Sequence, residues 1–97
     1  MNYQKVILVG NATVDAELKV SKKGGVNYAA FSVGVGVDKA HPVYFPVVVF
    51  GQYGESIAKH IRKGRQLLVE GRITVGDNGR YKVVADQVCF GTRPGKD

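Results

Sequence analysis

The chain reads as an all-β protein, a five-stranded barrel with one short helix between strands 3 and 4. Three observations point there. Residues 43–50 are β-branched and aromatic and are closed by Gly51, a strand signal. Tyr53, Ile57 and Ile61 then follow at intervals of four, one stripe of an amphipathic helix, with Lys63-Gly64 as a basic last turn and a glycine stop. A further strand begins at Arg65, and segments of alternating apolar and polar residues flank this middle on both sides.

Taken in order, residues 5–11 form a near-continuous apolar strand, which implies cover on both faces. The barrel interior supplies one cover, and another subunit is a candidate for the second. Residues 15–23 alternate charges with Leu18 and Val20 and end in Lys22-Lys23-Gly24-Gly25, a short strand running into a tight basic hairpin. That lysine pair is either a solvated turn or a phosphate contact. Along residues 27–37, Ala29, Phe31, Val33, Val35 and Val37 share one face, and Tyr28, Ala30, Ser32, Gly34 and Gly36 share the other. Gly34 and Gly36 let a small barrel coil and also let a ligand approach the backbone, and the two readings are complementary.

The connection 38–42 sets Lys39 and His41 at the rim of the surface formed by the central strand. On that strand the pleat separates Tyr44, Pro46, Val48 and Phe50 from Phe45, Val47 and Val49. Both sets are apolar and a core can claim only one, so two rings on the spare face ask for a partner. After the helix, Leu67, Val69, Gly71 and Ile73 are expected inside, with Leu68, Glu70, Arg72 and Thr74 outside. A hairpin turn at residues 76–79 leads to a last strand with Tyr81, Val83 and Ala85 inside and Arg80, Lys82 and Val84 outside. This order of elements is that of an oligonucleotide-binding (OB) barrel filling residues 1–91, followed by a short flexible basic tail, 92–97.

Fourteen Lys and Arg against eight Asp and Glu leave a formal charge of +6 in 97 residues, with a pI near 9.6. That balance favours polyanionic partners through counterion release. The lone Cys89 can form neither an internal disulfide nor a cysteine zinc site, which fits a reduced cytoplasmic compartment. No long apolar run or cleavable signal stretch occurs, so no membrane partner is expected. His41, His60, Cys89 and the carboxylates Asp15, Glu17, Glu55, Glu70 and Asp86 are scattered without catalytic or metal-binding spacing. The reading is therefore a binder, not an enzyme, with no cofactor and no metal. Its candidate surface carries Tyr44 and Phe50, with Lys39, Arg72, Arg80 and Lys82 around them. Unstacked bases lie on such rings for roughly 1–3 kcal/mol each while cations follow the phosphates. The alternative is that the two rings pack against a neighbouring subunit or against each other.

The segments Lys5-Val6-Ile7-Leu8-Val9-Gly10-Asn11, Ala30-Phe31-Ser32-Val33, Val47-Val48-Val49-Phe50-Gly51, Arg62-Lys63-Gly64, Val69-Glu70-Gly71-Arg72 and Gly79-Arg80-Tyr81 resemble, in order and spacing, the bacterial single-stranded DNA-binding protein family. The resemblance implies an OB fold, sequence-tolerant binding of single-stranded DNA in replication, recombination or repair, and a homo-oligomer, a tetramer before a dimer. It implies base stacking at Tyr44 and Phe50, a DNA path along Lys5, Lys63 and Arg72, and subunit contacts through the first strand, at Val6 and Leu8, and at Phe45. Lys22 and Lys23 are further candidates for that path.

The departures are as specific. The family's stacking tryptophans are missing, and the hairpin at residues 77–79 is short, so fewer nucleotides should be covered and binding per subunit should be weaker. No acidic terminal peptide follows Phe90, so recruitment of protein partners through such a tail is not expected. Two other readings remain at this point: a dimeric primosomal replication-restart accessory, and an RNA-binding or protein-interaction OB module.

Overall fold

Strands form along the alternating segments and along the apolar runs alike, and they close on themselves. The computed structural model describes residues 3–22, 24–36, 41–76 and 78–91. Its elements are β1 (Val6–Ala12), β2 (Glu17–Val20), β3 (Asn27–Gly36), β4 (Pro42–Phe50), α1 (Gly51–Ala58), β5 (Gln66–Val75) and β6 (Tyr81–Phe90). Lys23, Lys39 and the tail 92–97, all singled out above, lie outside the described residues.

The sheet runs β1-β5-β6-β4-β3-β2, and β1 also pairs with β3, which closes the ring. Neighbours are antiparallel except for the parallel pair β4–β6. Both β1 and β2 lie antiparallel to β3, Ala12 opposite Val33 and Glu17 opposite Ala30. Five steps along one path thus match three along the other, so β1 and β2 are two halves of one strand broken by a bend. The Thr13 amide donates to the Ser32 carbonyl at 2.9 Å and carries the ladder into that bend. Six hydrogen-bonded segments therefore make the expected five-stranded OB barrel, with α1 between its third and fourth strands.

The core gathers Leu8 from β1, Phe31 and Val33 from β3, Val47 and Val49 from β4, Leu67 and Val69 from β5, and Val83 and Val88 from β6. Ile57 and Ile61 join the same cluster from α1 and the turn after it. Tyr53, on the same stripe, stays half in solvent. Its hydroxyl donates to the Val88 carbonyl at 3.1 Å and accepts the Val88 amide at 2.8 Å, joining the first turn of α1 to β6. The helix ends at Ala58, shorter than the stripe suggests. Tight turns from the Ile57 and Ala58 carbonyls take over, and Gly64, at φ +92°, completes the reversal into β5. Ile61 still reaches the core from that turn.

Two expected inward orientations change, those of Ile73 and Tyr81, and the residues that the resemblance places at subunit contacts take specific positions. Leu8 is a core residue and Val6 packs partly buried against the core, both on the inner face of the first strand and not its outer face. Ile7, 58% exposed, and Val9 occupy that outer face. Ile73 and Tyr81 have inward parity but stand exposed, Tyr81 at 70%, because the wall beside them is open. β4 and β6 share only the pairs Val47–Val83 and Val48–Val84 and part on the N-terminal side of them. Phe45, also placed at a subunit contact by the resemblance, is half-buried against this chain's own core.

Candidate nucleic-acid interface

On the outer face of β3 and β4 the register sets Tyr28 opposite Phe50, Ala30 opposite Val48, Ser32 opposite Pro46 and Gly34 opposite Tyr44. From Ala30 to Gly34 the small groups of β3 meet larger groups on β4, so a ring there can lie over the neighbouring backbone. Tyr44 does this. A Cβ on Gly34 would sit 3.3 Å from the Tyr44 ring, so the glycine gives the ring its seat. Tyr28 and Phe50 form a tilted pair with centroids 5.5 Å apart. Tyr44 is 59% exposed and Phe50 42%.

Three adjoining recesses cross this face. The first, about 540 Å³, is bordered by Lys19, Lys22, Tyr28, Phe50 and Lys82. The second, about 530 Å³, lies between Lys19, Tyr28, Pro46, Arg80, Tyr81 and Lys82. The third, about 400 Å³, lies among Tyr44, Pro46, Ile73, Tyr81 and Lys82. Lys82 borders all three, so they form one trough with rings along its floor and Lys19, Lys22, Arg80 and Lys82 along its banks. Among the described residues no carboxylate lines it. Glu17 stands 3.8 Å from the Lys19 ammonium, an exposed pair that holds the lysine only weakly.

Five of the residues expected from sequence thus share one surface: Tyr44, Phe50, Lys22, Arg80 and Lys82. Lys5 and Arg72 do not join them. They line a separate recess of about 510 Å³ with Tyr3, Gln4 and Asp86. Lys5 Nζ lies 3.0 Å from Glu70 Oε1, and this hydrogen bond, with the carboxylate charge behind it, holds the ammonium above the usual lysine range. The pair therefore persists through neutral pH and is lost on the alkaline side, as pH rises through that raised value. Lys63 borders none of these recesses, and its amide donates to Asp15 Oδ1 at 2.8 Å.

Tyr28, Lys19 and Tyr81 were not expected on this surface. Tyr28 could have been found from the alternation of β3, which puts it on the outer face, once the pairing across to Phe50 was known. Lys19 follows from its pairing opposite Tyr28. Nothing local marks Tyr81, whose exposure depends on the parting of two strands distant in sequence.

The model of the single-strand binding protein family matches residues 3–90. The chain belongs to that family. Among similar members, the single-stranded DNA-binding protein of Clostridium perfringens is 39% identical over 74 residues, covering 74% of this chain and 49% of its own length. That of Treponema pallidum is 40% identical over 75 residues, covering 70% and 42%. Single-stranded DNA-binding protein 3 of Clostridium acetobutylicum is 37% identical over 101 aligned positions, covering 89% and 69%. This chain spans roughly half the length of the first two relatives or a little less.

Proposed function

We propose that this chain binds single-stranded DNA with little regard to sequence, as a coating and protecting protein of replication, recombination or repair in the cytoplasm. One observation carries the reading: the trough combines exposed rings with cations and, among the described residues, is lined by no carboxylate. Every base has a flat π-face, so stacking on Tyr28, Phe50, Tyr44 and Tyr81 needs no particular sequence, while Lys19, Lys22, Arg80 and Lys82 follow the phosphates. Duplex DNA keeps its bases stacked and offers the rings nothing. Relatives named single-stranded DNA-binding proteins support this choice of polymer. The chemistry is binding alone, and no reaction is assigned to the chain.

The test is a titration of oligo-dT and of duplex DNA at rising salt, read by tyrosine fluorescence. Oligo-dT should bind far more tightly, with log affinity falling by about 0.7 per phosphate contact for each decade of salt. Equal binding of duplex would refute the reading.

In the same proposal the chain works as a homo-oligomer, a tetramer in preference to a dimer, joined through the outer face of β1. Ile7 and Val9 stand exposed there, and Leu68 pairs beside Val9 on β5. Ile7→Glu with Val9→Glu should reduce the mass in sedimentation to that of a monomer, and an unchanged mass removes this face from the contact.

A further inference from the structure

The third recess of the trough differs from the other two in what lines it. Tyr44, Pro46 and Lys82 come from the outer face of the pleat, whereas Phe45, Ile73 and Val83 come from the inner face. A groove on a continuous sheet cannot draw on both faces, because alternate residues point to opposite sides. The reason is the short β4–β6 pairing. On the N-terminal side of Val47 and Val83, β4 is paired only with β3, and β6 only with β5. The two strands spread apart there, and the recess is the split between them.

This split has a defined chemistry. It is lined by Ile73, Val83, Phe45 and Pro46, by the exposed rings of Tyr44 and Tyr81, and by Lys82. Each strand also turns an edge of main-chain groups toward the gap, without a ladder partner on that side among the described residues. Apolar walls favour a ligand with dehydrated faces, and unpaired strand edges favour one with donors and acceptors around its rim. A planar heterocycle meets both demands, whereas a phosphate or a sugar meets only the second.

We propose that the split takes in one nucleobase of the bound strand, edge first between Tyr44 and Tyr81, with Lys82 beside the adjoining phosphate. This rests on the trough being the strand-binding surface and deepens that reading. The remaining bases lie flat on rings, but this one is held in a slot. One position of an otherwise tolerant footprint is then gripped by its edge, and a preference among bases is expected there and nowhere else along the trough.

The test follows the methyl resonances of Ile73 and Val83 in the full chain while oligo-dT, and separately thymidine 5′-monophosphate, is added. Both should move these methyls. Tyr81→Ala removes an exposed ring and leaves the core untouched, and it should weaken oligo-dT roughly tenfold while abolishing the methyl shifts. Ile73→Trp, which fills the split from inside, should abolish the Val83 shift while signals from Tyr28 and Phe50 still respond to oligo-dT. Silent methyls with oligo-dT bound, or undiminished affinity in Tyr81→Ala, overturn the slot and leave the trough standing. Failure of the unaltered chain to bind oligo-dT overturns both, and is a distinct result.

Discussion

Replacing Tyr44 and Phe50 together by alanine should weaken oligo-dT binding by two to three orders of magnitude while the protein still melts as a folded barrel. Each ring supplies a stacking surface worth roughly 1–3 kcal/mol, and every 1.4 kcal/mol is a factor of ten. The two rings border different ends of the trough, Phe50 the first recess and Tyr44 the third, so their losses should nearly add. Tyr44 is more than half exposed and Phe50 less than half, and neither belongs to the core cluster. Equilibrium titration at one fixed salt concentration, paired with a thermal melt, separates lost contact from lost fold. A double variant that binds as tightly as the original would show that the strand lies elsewhere.

Gly10→Val should do the reverse and remove the fold itself. A Cβ at Gly10 would run into the carbonyl oxygen of Gly34 and come within 3.1 Å of Val33 Cγ1. The adjacent pairs Asn11–Gly34 and Ala12–Val33 are the ones that join β1 to β3 and shut the barrel, so the added side chain must open the seam. The cost should reach at least about 3 kcal/mol, a large share of the stability of a small domain. Melting should fall by roughly 15 °C or more. Gly36→Ala, with open space around the new methyl, is the control and should melt close to the parent. A Gly10→Val protein as stable as that control would refute the close approach of β1 and β3.

How much of this could be read from sequence depended on whether the deciding interaction was local. The faces of β3 were legible because its apolar residues alternate with small or polar ones, and Ala29, Phe31 and Val33 are all buried. The exposed ring positions of β4 followed from a face the core could not claim. β1 gave no such help. Val6, Ile7, Leu8 and Val9 are all apolar, so composition could say that both faces are covered but not which face is inside. Pairing with β5, residues 66–71, makes that choice.

The ends of elements were harder. Ile61 keeps the helical spacing of Tyr53 and Ile57 although the chain has already left the helix, so the stripe overstated α1. Tyr81 and Ile73 carry the alternation of their strands faithfully, yet at the open side of the barrel the inward direction leads to solvent. That opening comes from a parallel pairing between strands more than thirty residues apart, which no window of sequence contains. Lys5 looked like a free cation for the same reason. Its partner Glu70 lies far along the chain and reaches it only through the β1–β5 ladder.

The central claim is that an unpaired strand lies across the outer face of β3, β4 and β6, and amide chemical-shift mapping with a short oligo-dT tests it most directly. The account predicts that the perturbed amides trace the trough through Lys19, Tyr28, Val48, Phe50 and Lys82, while Ile7, Val9 and Leu68 on the opposite wall stay still. Shifts gathered on β1 and β5, with the trough silent, would contradict it.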